Sequence, residues 1–151
     1  MRVKNFTTIP DEMVREIIRH TVPSGVKNFD VRVSNLGRHY GDNTKSARVA
    51  GRAYSRSRYH DRSCPFVVCR IDKLEDPSYY EPYQLGQQKG KRYWLYNRAE
   101  KLVVIMAHEL RHLWQYKQKN KRGYCWGSRG RSSEVDTEAY AINRLRAWRK
   151  R

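Results

Sequence analysis

The sequence predicts an α+β domain: an N-terminal helix, a small mixed sheet of three or four strands, a long helix and a C-terminal helix. Three observations predict it. Apolar residues in the first part of the chain alternate or form short bounded runs, as strands do, whereas those in the last third recur at helical spacing. The strand-like and helix-like segments are segregated along the chain, which favours α+β over a βαβ arrangement. The 151 residues show no internal repeat and no domain boundary, so residues 1–151 are expected to form one domain.

The first helix is expected over Pro10–Thr21. Pro10 suits a first turn, Asp11 and Glu12 complement the helix dipole, and Met13, Ile17 and Ile18 share one side. Pro23-Ser24-Gly25 ends it. Val26–Val33 alternates, with Phe29, Val31 and Val33 on one face and Asn28, Asp30 and Arg32 on the other, as in a half-buried strand. Gly37–Thr44 reads as a loop and Ala47–Arg58 as a second strand. Pro65–Ile71 is the most β-like segment and is expected to be central. Asp72–Lys91 is a long polar, tyrosine-containing loop, and Arg92–Tyr96 a short strand. Asn97 opens the longest helix, with Asn97-x-x-Glu100 outlining a capping box; the helix should reach about Lys119, with Gly123 as its stop. The last helix is expected over Ser133–Trp148, capped by Ser132 or Ser133, with Val135, Ala139, Ile142 and Leu145 as its apolar stripe.

Composition narrows the class. The chain is 31% charged and 38% hydrophobic, with dense apolar runs at Phe66–Cys69 and Leu102–Ala107 that can supply a core. Its 32 Lys and Arg against 15 acids give a net charge of +17, a surface that attracts nucleic acid or other polyanions. Cys64, Cys69 and Cys125 are an odd set without a secretory signal, which argues against a disulfide framework; they read as small core residues or bystanders in preference to a second metal site. No apolar leader and no stretch long enough to span a membrane is present, so a cytoplasmic protein is expected.

The chemistry lies in His108-Glu109-Leu110-Arg111-His112. Residues four apart on a helix lie on one face, so His108 and His112 can offer ring nitrogens to a single ion. Zinc accepts such ligands, and Glu109, one step round the helix, stands where a general base for an activated water belongs. The preceding Leu102–Ala107 is apolar nearly all round, which predicts a buried helix. Buried imidazoles and a carboxylate need partners, and a metal supplies them. A catalytic zinc needs a third protein ligand. No histidine follows His112, leaving His20, His39 and His60 upstream, or a carboxylate from Glu134-Val135-Asp136-Thr137-Glu138. Glu134 and Glu138 are again four apart, so one can bind the metal while the other orients a ligand histidine.

These features resemble the gluzincin branch of the zincin metallopeptidases, which pairs H-E-x-x-H with a later helical motif like E-x-x-[SA]-[DN]. Residues 134–138 match that pattern loosely, 21 residues after His112. The resemblance covers about residues 97–148 and implies a zincin-like fold. It implies Glu134 as third zinc ligand, Glu138 as the acid behind a ligand histidine, and peptide hydrolysis with Glu109 as base. Glu138 stands where that family more often has Asp or Asn. The downstream histidine that stabilises the oxyanion in larger members is missing; Tyr140, Tyr124, Tyr116 or an arginine would have to replace it, and Tyr140 serves equally as packing. A protein or peptide substrate is the implied partner. The competing expectation is a basic nucleic-acid-binding protein with a structural or inactive zinc site, its Arg52, Tyr54, Arg56 and Arg58 forming a basic, aromatic strand face. A SprT-like protease would normally carry a third downstream histidine.

Overall fold

A computed structural model describes residues 1–35, 51–54, 64–71, 81–84, 92–122 and 131–151. The elements run β1 (Val3–Asn5), α1 (Asp11–Thr21), β2 (Asp30–Asn35), β3 (Gly51–Tyr54), β4 (Phe66–Ile71), β5 (Glu81–Gln84), β6 (Arg92–Leu95), α2 (Arg98–Arg122) and α3 (Arg131–Arg149). The architecture is α+β. Four strands form a mixed sheet in the order β1-β2-β4-β3, and β5-β6 form a separate antiparallel ribbon. Strands β1, β2 and β4 are parallel, and β3 closes the edge antiparallel to β4.

Strand β4 is central, as its apolar run requires, and all six of its residues are buried. Strand β2 is also internal. It begins at Asp30, four residues later than the alternation predicts, because Gly25 (φ 86°) and Asn28 (φ 56°) adopt left-handed conformations that cannot continue a strand. Asp30 is buried rather than solvent-facing, accepting hydrogen bonds from Arg2 N at 2.7 Å and Arg2 Nε at 3.3 Å. Those bonds hold β1 against β2, and β1 is too short to show alternation in sequence. Residues 81–84 are likewise a strand inside the expected loop 72–91. Strand β5 pairs with β6 through its backbone, and Pro82 hides its β character.

Helix α2 lies between two apolar clusters, which explains why Leu102–Ala107 is apolar all round. On one side Leu102, Val103, Met106 and Leu110 pack on α1 and on the sheet through Ile17, Val33, Val67 and Cys69. On the other, Val104 and Ala107 meet Leu95 of β6 and Ala141, Ile142 and Leu145 of α3. Each fully buried aliphatic side chain contributes about 1.5–3 kcal/mol. Asn97 caps α2 through Oδ1, accepting from Glu100 N at 2.9 Å, while the Glu100 carboxylate accepts from Tyr96 N at 2.9 Å. The capping box therefore closes one residue earlier than its standard form.

Helix α3 starts at Arg131, and Ser133 is not its cap: the Ser133 hydroxyl donates to Gln115 Oε1 at 2.6 Å. Its inward face also differs from the expected stripe. Ala139 is exposed and Val135 only half-buried, whereas Thr137, Glu138, Ala141, Ile142 and Leu145 are buried. Polar residues occupy the inner face because they meet the polar end of α2. Cys69 is a buried core residue with a free thiol and Cys64 is partly buried; Cys125 lies outside the described residues.

Candidate metal centre

Helix α2 changes character after Ala107. Its next turns present His108, Glu109 and His112 toward α3 and β3, and α3 brings Glu134 to meet them. Glu134 Oε2 stands 3.2 Å from His108 Nε2 and Glu134 Oε1 stands 3.2 Å from His112 Nε2. The two Nε2 atoms are themselves 3.2 Å apart. His108, His112 and Glu134 thus form a group able to hold a metal ion, with their ligand atoms all within 4.8 Å of one another. Two ring nitrogens and a carboxylate at this spacing concentrate lone pairs that a shared cation relieves.

The carboxylates and imidazoles of the site shift one another's protonation. Bonds to His108 and His112 hold the Glu134 carboxyl far below the usual carboxylate range. Burial alone would lower the His112 pKa, but Glu134, Glu109 and Gln115 outweigh it and raise it. Glu109 is 8% exposed. Burial pushes its carboxyl upward against the opposing pull of His108 and His112, a shift that suits a proton acceptor.

Strand β3 fixes where the Glu109 carboxylate lies. A Cβ built on Gly51 would fall 2.5 Å from Glu109 Oε1 and 2.7 Å from its Cγ, so the side chain occupies the space that only glycine leaves. Sequence reading did not single out Gly51, because the contact joins strand to helix over 58 positions.

Two buried atoms at the site lack a hydrogen-bond partner: His108 Nδ1 and Glu138 Oε2. Burial raises the Glu138 carboxyl, and the charge of His108 opposes that rise. Thr137 Oγ1 bonds Glu134 O at 2.8 Å and lies 3.4 Å from His108 Nε2. A polar network on the other flank was invisible in sequence. His112 Nδ1 lies 2.9 Å from Gln115 Oε1; Gln115 Nε2 donates to Asp136 Oδ2 at 2.9 Å, and Arg111 donates to Asp136 at 2.8 and 3.0 Å. Its one sequence signal is that Gln115 follows His112 by three positions and shares its helix face.

The remaining predicted residues sit elsewhere. His20 Nε2 bonds Arg144 O at 2.8 Å and its ring packs edge-on against Trp148, at the junction of α1 and α3. The Tyr140 hydroxyl donates to Thr21 O at 2.9 Å, and its ring lies near the guanidiniums of Arg111 and Arg144. Tyr116 packs against the main core cluster. His39, His60, Arg56, Arg58 and Tyr124 lie outside the described residues. No protein-family profile, curated protein or solved structure matches the chain.

Proposed function

We propose that this protein is a zinc-dependent metallopeptidase of zincin type, with His108, His112 and Glu134 holding the ion and Glu109 as general base. The observation that carries the reading is the donor spacing. Ligands placed tetrahedrally about 2.0–2.1 Å from zinc stand roughly 3.3 Å apart; the two imidazole nitrogens are 3.2 Å apart, and each lies 3.2 Å from a different oxygen of the Glu134 carboxylate. Two imidazoles and a carboxylate match the His/His/Glu set of catalytic zinc, which leaves a further position open. His108 Nδ1 and Glu138 Oε2 are both without a hydrogen-bond partner, so the acid–imidazole bond that supports a ligand histidine is not made between them in the metal-free protein.

When bound, zinc supplies Lewis acidity that polarises a carbonyl and makes a water nucleophilic at neutral pH. The chain supplies the rest. Glu109 takes the proton of the attacking water on its carboxylate and passes it to the departing amide nitrogen. Gly51 leaves room for that carboxylate at the edge of the sheet. Strand β3 is an end strand of the four-stranded sheet among the described residues, and an extended peptide added to it as a further strand would lie beside Glu109.

The test is Glu109→Gln. That variant should keep its zinc and lose hydrolysis of an unstructured protein substrate, by about the 10²–10⁴-fold that general-base catalysis supplies. Hydrolysis retained by the variant would remove Glu109 from the mechanism.

The basic surface supports a polyanion as a second partner or as the setting in which the enzyme works. Register places Lys4, Arg32 and Arg52 in one row across the outer face of the sheet. Burial lowers the pKa of Arg70, and neighbouring Arg52 and Arg32 lower it further. Salt-dependent binding to arbitrary single-stranded DNA, with no hydrolysis of any peptide, would favour a nucleic-acid-binding protein over a peptidase. No helix among the described residues is long and apolar enough to cross a membrane.

A further inference from the structure

The two histidines of the site are supported differently. His108 has an orphaned Nδ1, whereas His112 is held by a fully satisfied amide. Gln115 is 0% exposed and one turn beyond His112. Its Oε1 accepts from Ser133 Oγ at 2.6 Å and faces His112 Nδ1 at 2.9 Å. Its Nε2 donates to Ser133 O at 3.0 Å and to Asp136 Oδ2 at 2.9 Å. The amide has only one sensible orientation, because flipping it would set its oxygen against a carbonyl and a carboxylate. Oxygen therefore faces His112, which must carry a proton on Nδ1; once its Nε2 gives up the proton it shares with Glu134, that lone pair faces Glu134 and His108.

The same amide grips α3 on both sides of Glu134, at Ser133 and at Asp136. Asp136 is in turn clamped by Arg111, whose guanidinium lies 3.7 Å above the Trp114 ring. We infer that Gln115 is a positioning residue that selects the Nδ1–H form of His112 and sets the α3 register that delivers Glu134. One side chain would thus align two ligands carried by two helices. The effect on metal affinity rests on the zinc reading above; the effect on the imidazole does not.

Gln115→Met keeps the length and bulk of the side chain and removes both polar atoms. The first measurement is the ring-nitrogen NMR spectrum of the metal-free wild-type protein at a pH where His112 is neutral. The Nδ1–H form is expected there, and in Gln115→Met the preference should fall toward the mixture of an unsupported imidazole, while His20 is unchanged. The second is zinc affinity by competition with a chelator, expected to weaken about 10–100-fold in a folded Gln115→Met. An Nε2–H form in the wild-type protein would overturn the inference without any variant. So would a folded Gln115→Met with wild-type tautomer and affinity within about twofold. If Gln115→Met does not fold, Ser133→Ala, which removes one of the four bonds, should still shift the His112 resonances, and unchanged resonances would count against the inference. A wild-type protein that binds no zinc defeats the metal reading alone, since the tautomer measurement still decides what Gln115 does to His112.

Discussion

Helices α2 and α3 meet at two polar ends separated by an apolar middle, and the ends differ in one respect. At the end far from the site, Glu100 accepts from Arg149 Nε at 2.8 Å and from its Nη2 at 2.7 Å, and from Tyr96 N at 2.9 Å. Neither carboxylate oxygen of Glu100 is left over. At the site end Arg111 and Asp136 make the same kind of bidentate pair, but beside it stand Glu134, two facing imidazoles, and the partnerless His108 Nδ1 and Glu138 Oε2. Closed polar networks hold a fold together, whereas a buried network left open at several atoms carries a desolvation penalty that a guest can relieve. The two ends therefore separate stability from binding, and substitutions should separate them too.

The largest effect on folding is expected at the closed end. Arg149→Met leaves the Glu100 carboxylate buried without its cation and should destabilise the protein by about 2–3 kcal/mol, read by urea denaturation, with zinc content unchanged. Loss of zinc in this variant while it remains folded would break the separation. Gly51→Ala should come next, at about 1–3 kcal/mol for forcing a methyl into the Glu109 side chain. Zinc should stay and hydrolysis should fall, because Glu109 must move and the three ligands need not. The smallest effect on folding is expected for Glu138→Gln. It neutralises a buried carboxyl whose Oε2 has no hydrogen-bond partner, so the metal-free protein should be as stable as wild type or slightly more so. Zinc should nevertheless bind about 10–100-fold more weakly, as for loss of an acid behind a ligand histidine.

Both directions of pH dependence are present: cation-paired carboxyls at either end lose their stabilisation toward acid, and the desolvated carboxyls of the site lose theirs as pH rises. The Glu100 and Asp136 carboxyls are held below their usual pKa; burial opposes this, and the bonds to Arg149 and to Arg111 and Gln115 outweigh it. Their stabilisation is full above the ordinary carboxylate pKa and is lost as pH falls through the depressed folded values. Burial raises Glu109 and Glu138, so their contribution is full below the ordinary value and lost as pH rises through the raised folded ones. Thermal unfolding of the metal-free protein against pH should show both limbs. Glu100→Gln should flatten the acid limb and Glu138→Gln the alkaline one. An unaltered alkaline limb in Glu138→Gln would place that dependence elsewhere.

What could be read from sequence follows from how local each feature is. His108, Glu109 and His112 were legible because one helix carries all three at fixed spacing. Glu134 was not separable from Glu138 by spacing alone, and the choice came from a family resemblance; the fold brings Glu134 to both imidazoles. Gln115, Ser133 and Arg111 were missed because their roles exist only once α3 lies against α2. The α3 stripe was misread for a related reason: its inner face carries Glu134, Thr137 and Glu138, so apolarity does not mark it. Strands β1 and β5 escaped because backbone pairing, not side-chain alternation, makes them strands.

His108, His112 and Glu134 are proposed to hold zinc. Elemental analysis of the purified wild-type protein beside Glu134→Ala and Glu138→Ala tests that most directly. One zinc per wild-type chain, lost from Glu134→Ala and largely kept by Glu138→Ala at saturating metal, is the predicted result. No zinc in the wild-type protein after supplementation, or stoichiometric zinc in Glu134→Ala, would contradict it.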